Sequence, residues 1–244
     1  MARSRTAFIT GVSTGIGAGL AEELLKCGWN VTGLSRREPE WTVTGGGILT
    51  FQTVDVSDLN ALSDRITKLL NSTPTIDLAV LNAGVEGVFG DLEDATLNDL
   101  KSTMDINVWS NKLILDAMFR DGRSVRQVVT VSSGASVSGN RGWSGYSISK
   151  SALNMLTKLY AAERSETHFC ALAPGVVDTP IQDRLLARDY DPRYETIETL
   201  RRKRGTDEMP GPREAARRLL AVFEKLPQVV PSGDFADIRN LPPH

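Results

Sequence analysis

Tyr146 and Lys150 stand four residues apart in Tyr-Ser-Ile-Ser-Lys. On a helix this spacing puts both side chains on one face. A phenol, with a reference pKa of about 10, is a poor base at neutral pH, and a nearby ammonium favours its phenolate. The pair is therefore suited to moving a proton, with Lys150 expected to lower the pKa of Tyr146. Such a spacing is common in helices, so its meaning depends on what the rest of the chain brings to it.

A second chemical feature lies near the N-terminus, in Thr10-Gly11-Val12-Ser13-Thr14-Gly15-Ile16-Gly17. It follows a β-branched and apolar run and opens a helical pattern, the context in which glycines cradle a pyrophosphate. Gly11 permits a tight turn, Gly15 lets backbone approach phosphate oxygens, and Gly17 lets the helix pack closely. The N–H groups and positive end of that helix suit an anion. About 20 residues beyond the glycines, a dinucleotide fold places its ribose selector. Here the chain offers Ser35, Arg36 and Arg37. A guanidinium pairs bidentately with a 2'-phosphate and stacks on adenine, so NADP(H) is expected; the neighbouring Glu38 keeps an NAD ribose contact open.

The elements that must position these residues follow from periodicity. Strands are expected at Thr6 to Thr10, Asn30 to Leu34, Ile48 to Val54, Ile76 to Leu81, Arg126 to Ser132 and His168 to Ala173, with a last one near Gln228 to Val230. Between them, Ile16, Leu20, Leu24 and Leu25 form one apolar stripe and Leu59, Leu62, Ile66, Leu69 and Leu70 another. Longer helical stretches run from Thr96 to about Arg120, from Ser144 to Arg164 and from Arg213 to Lys225. Strands alternating with helices predict an α/β fold, a doubly wound, mostly parallel Rossmann-type sheet spanning residues 1–244 as one domain. Residues 176–211 carry charges and three prolines without a strand-like run, and are expected to form an irregular substrate loop or lid.

The glycine spacing, TGxxxGIG, resembles the cofactor signature of the short-chain dehydrogenase/reductase family, and the resemblance spans nearly the whole chain. Asp55, with Val56 beside it, resembles the adenine-contacting Asp after the third strand. Asn82-Ala83-Gly84 resembles the turn after the fourth, although Leu81 stands where the family's usual motif has another Asn. Pro174, Gly175, Val177 and Thr179 fall in a segment similar to the PGxxxT that engages a nicotinamide carboxamide. Cys170 occupies a position where many relatives carry Asn. Ser133 precedes Tyr146 by 13 residues, the family's spacing for its catalytic serine, while Ser132 reads as structural. Asn107 resembles the fourth catalytic member.

The resemblance implies a mechanism. Hydride passes between nicotinamide and a carbonyl carbon, Tyr146 exchanges the proton, and Ser133 polarises the oxygen. Lys150 binds the nicotinamide ribose, and Asn107 holds a relay water. The stretches SSGAS, PGVVDT and Ser232-Gly233-Asp234, with Trp143, resemble the sepiapterin reductase and benzil reductase group, which implies a ketone or vicinal diketone as small-molecule substrate. A hydroxy-steroid, sugar or acyl-thioester ketone is the alternative, and a non-catalytic NADP(H) sensor is the reading from a different class. Trp143, Tyr190 and Tyr194 are candidates to line an apolar pocket. Relatives assemble through the helices corresponding to the third and fourth long ones here, so a homodimer or homotetramer is expected.

Composition excludes several other classes. A net charge of -2, from 28 basic and 30 acidic residues, gives no reason to expect nucleic acid or an anionic membrane as partner. The basic run Arg201 to Arg204 reads as solvated surface. Cys27 and Cys170 make neither a disulfide framework nor a metal-ligand spacing, and both are expected to be buried, reduced thiols with no metal site. No apolar run resembles a leader or a membrane span, so a cytoplasmic location is expected.

Overall fold

The computed structural model describes residues 3–42 and 44–241. In β1 (Thr6–Thr10), Ala7 and Ile9 enter one apolar cluster and Phe8 another. Side chains of a strand alternate between faces, so a run buried on both must carry a layer of helices on each side. The chain supplies them in alternation: α1 (Gly15–Lys26), β2 (Asn30–Ser35), β3 (Leu49–Thr53), α2 (Leu59–Leu69), the short β4 (Thr75–Ile76), and β5 (Leu78–Leu81). Next come α3 (Leu97–Met104), a π turn over Asp105–Trp109, α4 (Ser110–Phe119), the short β6 (Ser124–Val125), β7 (Gln127–Val131) and α5 (Ser144–Glu163). The chain closes with β8 (His168–Ala173), α6 (Pro180–Leu186), α7 (Glu195–Lys203), α8 (Pro212–Val229) and β9 (Phe235–Asp237).

Seven strands form one parallel sheet in the order β3-β2-β1-β5-β7-β8-β9. One core joins α1 and α8 to the sheet through Leu20, Leu24, Leu25, Phe223 and Leu226; the other joins α2, α4 and α5 through Leu62, Ile66, Ile114, Met118 and Tyr160. The winding reverses between β1 and β5, the place where such a sheet opens a crevice beyond the carboxyl ends of its strands. The glycine turn after β1 and Asn82-Ala83-Gly84 after β5 both lie there. The expected doubly wound fold is what the chain adopts.

Three local expectations are corrected. Gln228–Val230 is not a strand: α8 runs to Val229, Val230 N still bonds Leu226 O at 2.9 Å, and the last strand begins at Phe235. The β-branched pair misled because Leu226 and Val230 simply continue the buried face of the helix. Pro227 is tolerated inside that helix because the carbonyl it leaves without a partner, Phe223 O, accepts from Gln127 Nε2 at 2.9 Å. Residues 176–211 are not irregular throughout, since α6 and α7 lie within them, each amphipathic enough to bury Leu185, Ile197 and Leu200. Cys27 is exposed at the end of α1, whereas Cys170 is buried in β8, where burial pushes its thiol up to about 12 and makes it an inert core residue.

Candidate active site

Polar contacts fix α5 against the end of β7. Lys150 Nζ donates to Val131 O at 2.7 Å, Ser132 Oγ to Asn154 Oδ1 at 2.5 Å, and the Thr130 and Thr157 hydroxyls meet at 2.8 Å. Ser132 thus takes the structural part expected of it. Ser133 emerges just beyond, accepting from Ala135 N at 3.1 Å. Its hydroxyl hydrogen-bonds the Tyr146 phenol. Lys150 Nζ lies 5.6 Å from the Tyr146 ring centre. The three predicted side chains are together.

Their electrostatics differ from expectation. Burial raises the Tyr146 pKa above its ordinary value, the Ser133 hydrogen bond pulls it down, and the Glu86 carboxylate raises it, leaving a net rise. The expected depression by Lys150 is absent. Lys150 is itself buried, which lowers its pKa to about 8, and its ammonium is engaged by Val131 O. Tyr146 accordingly keeps its proton at neutral pH.

Asn107 sits in the π turn between α3 and α4 and is fully buried. Its Nδ2 donates to Val85 O at 2.8 Å and Ser149 Oγ at 2.9 Å, and its Oδ1 accepts from Val85 N at 2.9 Å. Both amide protons are used, so the side chain acts as a brace between the loop after β5 and α5. Its main-chain carbonyl accepts from Asn111 Nδ2 at 2.8 Å.

A cleft of roughly 560 Å³ opens beside these groups. Gly11, Ser13, Thr14, Gly15 and Ile16 line one end with Ser35, Arg36, Arg37, Asp55 and Val56. Asn82, Ala83, Gly84, Ser133, Tyr146, Lys150, Pro174, Gly175, Val177 and Thr179 line the rest. Of the predicted site residues, Gly17 and Asn107 stand behind the wall. The cradle fits a dinucleotide. Thr14 makes no side-chain cap, which leaves the first N–H groups of α1 to a ligand, and Gly11 adopts φ +80° to turn the chain under them. A Cβ on Gly17 would lie 2.2 Å from Gly11 O, so the close packing expected of Gly17 is against the turn itself. Asn82 Nδ2 donates to Thr10 O at 2.9 Å, and Thr10 Oγ1 accepts from Asn82 N and Ala83 N, both at 2.9 Å. That bracing compensates for Leu81, which is buried in the second core.

At the ribose end, Ser35 Oγ donates to Arg37 O at 2.6 Å and shapes the turn, while both arginine side chains stay exposed. Asp55 Oδ1 accepts from Ser57 N at 2.9 Å and Ser57 Oγ at 2.8 Å. Burial pushes the Asp55 pKa up, but those two bonds and the Arg36 charge outweigh it, and the group stays ionised.

Other residues of the site carry no local signal in the sequence. Glu86 holds Arg184 of α6 in a two-pronged pair at 2.5 and 2.8 Å. Asp91 accepts from Arg141 at 2.7 and 2.6 Å and from Arg193 at 3.2 Å, joining the loop before α5 to the segment before α7. Trp143 lines the cleft as expected, 5.3 Å from the Tyr146 ring. Tyr190 does not, being 67% exposed, and Tyr194 packs on Phe89 at 5.0 Å rather than on the cleft. The basic run is only partly surface: Arg201 pairs with Glu198, Arg204 with Asp178 and Asp183, and Lys203 turns into the cleft. Among the described residues no helix is long and apolar enough to cross a membrane, and no group of three His, Cys, Asp or Glu could hold a metal ion.

The family described as short chain dehydrogenase matches residues 5–189. Benzil reductase ((S)-benzoin forming) of Bacillus subtilis is 27% identical over 229 residues, covering 89% of this chain and 93% of the relative. Dehydrogenase/reductase SDR family member 4 of Homo sapiens is 33% identical over 214 residues, 82% of this chain and 76% of the relative. A short chain dehydrogenase/reductase structure from Saccharomyces cerevisiae superposes with a TM-score of 0.82 at 23% identity, covering 98% and 97% of the two chains. The chain therefore belongs to the short-chain dehydrogenase family, oxidoreductases of CH-OH and C=O groups that work with a nicotinamide cofactor.

Proposed function

We propose that the protein is an NADPH-dependent carbonyl reductase acting on a ketone or vicinal diketone, with Tyr146 as proton donor. One observation carries this reading. Ser133, Tyr146 and Lys150 line the same cleft as Arg36 and Arg37, so a reacting carbonyl and a 2'-phosphate can be served together. A bound nicotinamide supplies the hydride. Ser133 donates a hydrogen bond to the carbonyl oxygen, Tyr146 gives it the proton, and Lys150 orients the ribose and recharges the phenol. The raised pKa of Tyr146 keeps it protonated, as a donor must be. Benzil reductase relatives support a vicinal diketone, and Trp143 offers an aromatic wall for one.

Tyr146→Phe is expected to cut turnover of benzil by about 10³-fold or more while NADPH fluorescence titration still shows binding. Normal turnover would remove Tyr146 from the mechanism. A lower KM for NADH than for NADPH would overturn the cofactor assignment to Arg36 and Arg37.

The same reading includes a second copy of the chain. On α5, Ile148, Met155 and Leu159 share an exposed stripe, and Trp109 is exposed on the neighbouring π turn. Sedimentation showing only a 26.6 kDa species would refute an oligomer. The free thiols Cys27 and Cys170 support a reducing, cytoplasmic setting.

A further inference from the structure

We infer that the substrate carries a carboxylate besides its ketone, and that Arg239 and Lys203 bind it; the inference rests on the carbonyl-reductase reading above. The cleft is lined by more cationic than anionic side chains. Arg36, Arg37 and Lys150 are accounted for by the dinucleotide and the proton transfer, while Arg184 and Arg239 are each forked onto a carboxylate, Glu86 and Asp237, and of these two only Arg239 also borders the cavity that Lys203 lines. Arg239 and Lys203 are left without a part in either.

They reach the cleft from unrelated elements. Lys203 is the last residue of α7 and Arg239 follows β9. Both also line an adjoining cavity of roughly 330 Å³, together with Pro174, Gly175 and Val176 and the charged side chains of Asp207, Glu208 and Arg218. The two cations therefore border the same two spaces, the cleft and the cavity beside it. Arg239 is forked onto Asp237, with Nε to Oδ1 at 2.8 Å and Nη2 to Oδ2 at 2.5 Å. The Asp237 side chain of that fork is 6% exposed and the Arg239 side chain 60%. Asp237 thus orients the arginine from behind, leaving Nη1 with its donors for a ligand. A Cβ on Gly134 would lie 3.2 Å from Arg239 Nη2, which puts the guanidinium beside the residue that follows Ser133.

Lys203 is the adaptable member. Its partner, Glu208 at 3.0 Å, is 68% exposed. Exposed pairs of this kind hold weakly, so the ammonium can turn to a better shielded anion. A carboxylate offers one oxygen to each cation, in charge-assisted hydrogen bonds that a neutral ester cannot match. Trp143, also in the cleft wall, would take the apolar body of the same molecule.

The test compares aryl oxo acids with their methyl esters, using phenylglyoxylate, benzoylpropionate and benzoylbutyrate to vary the distance between ketone and carboxylate. With NADPH, the acid of at least one pair is expected to exceed its ester in kcat/KM by about tenfold, equivalent to about 1.4 kcal/mol. Arg239→Gln and Lys203→Gln are each expected to lower that acid-to-ester ratio several-fold, mainly through KM, with Arg239→Lys restoring part of it. Equal rates for acid and ester in every pair, or variants that slow both alike, would overturn the subsite while leaving the carbonyl-reductase reading intact. Should neither acids, esters nor benzil be reduced, that reading fails. Calorimetric titration of phenylglyoxylate and its ester into the NADP-loaded protein then decides the subsite alone: a preference for the acid that Arg239→Gln abolishes supports it, and none refutes it.

Discussion

The glycine-turn half and the lid half face each other across one cleft and are held by different forces. Around the turn, Thr10 and Asn82 interlock through hydrogen bonds between side chain and main chain, Gly17 packs on the Gly11 carbonyl, and the strands beneath carry residues buried on both faces. The lid rests on a small separate cluster of Phe89, Leu185, Ile197, Leu200 and Met209, with exposed arginines paired to sheltered carboxylates at Glu86–Arg184 and Asp91–Arg193. So small a core buries little apolar surface, and such burial is the main stabilising force in a fold. The cofactor side is therefore preformed, and the substrate side is the part able to open locally.

The sharpest way to break this contrast is Gly17→Ala. The new methyl would meet Gly11 O at 2.2 Å, and both groups are backbone-fixed. The cost should reach or exceed the upper end of the usual range of about 1–3 kcal/mol for overpacking. Thermal unfolding should show it, together with loss of NADPH binding; a variant that binds normally would mean that the turn is not rigid.

Lys150→Met probes the boundary between the halves. The folded pKa of Lys150, about 8, lies below its ordinary 10.5, so between these values the unfolded chain holds the extra proton. Stability from this group rises with pH through that window and is lowest below it, where the buried ammonium is charged. The variant should thus be more stable at neutral pH, by up to about 3 kcal/mol less the lost bond to Val131 O, worth about 1. The gain should vanish as pH approaches 10.5, while activity is lost at every pH. Denaturant titrations at several pH values check the sign.

The smallest effect on global stability is expected from Phe89→Ala. An equivalent truncation in the first core, Leu24→Ala, should cost about 2–5 kcal/mol. Removing Phe89 takes away its contacts with Trp143 and Tyr194, so the loss falls on the lid. KM for the carbonyl should rise and amides of α7 should exchange faster, with a smaller shift in the unfolding midpoint than for Leu24→Ala. Equal shifts would show that the lid and the core unfold as one unit.

Strands and turns with strong local preferences were readable in the chain itself. Thr6–Thr10 and His168–Ala173 match their expected limits, because β-branched and apolar runs ending at glycine or proline leave few alternatives. The glycine turn and the Tyr146–Lys150 spacing are likewise local, and the structure needed only to bring Ser133 beside them. The last strand was misplaced because Val229 and Val230 favour a strand locally, whereas burial beside Leu226 and the bond from Gln127 to Phe223 O keep the helix going.

Period and spacing along the chain are enough to set the alternation of strands and helices, the glycine cradle and the helix carrying Tyr146 and Lys150, since each element is written within its own segment. That Asn107 braces Val85, that the Tyr146 pKa is raised rather than lowered, and that Arg239 and Lys203 line one cleft follow only from the folded arrangement. Those outcomes depend on burial and on partners far apart in the chain, such as Glu86 and Arg184, which no local pattern encodes.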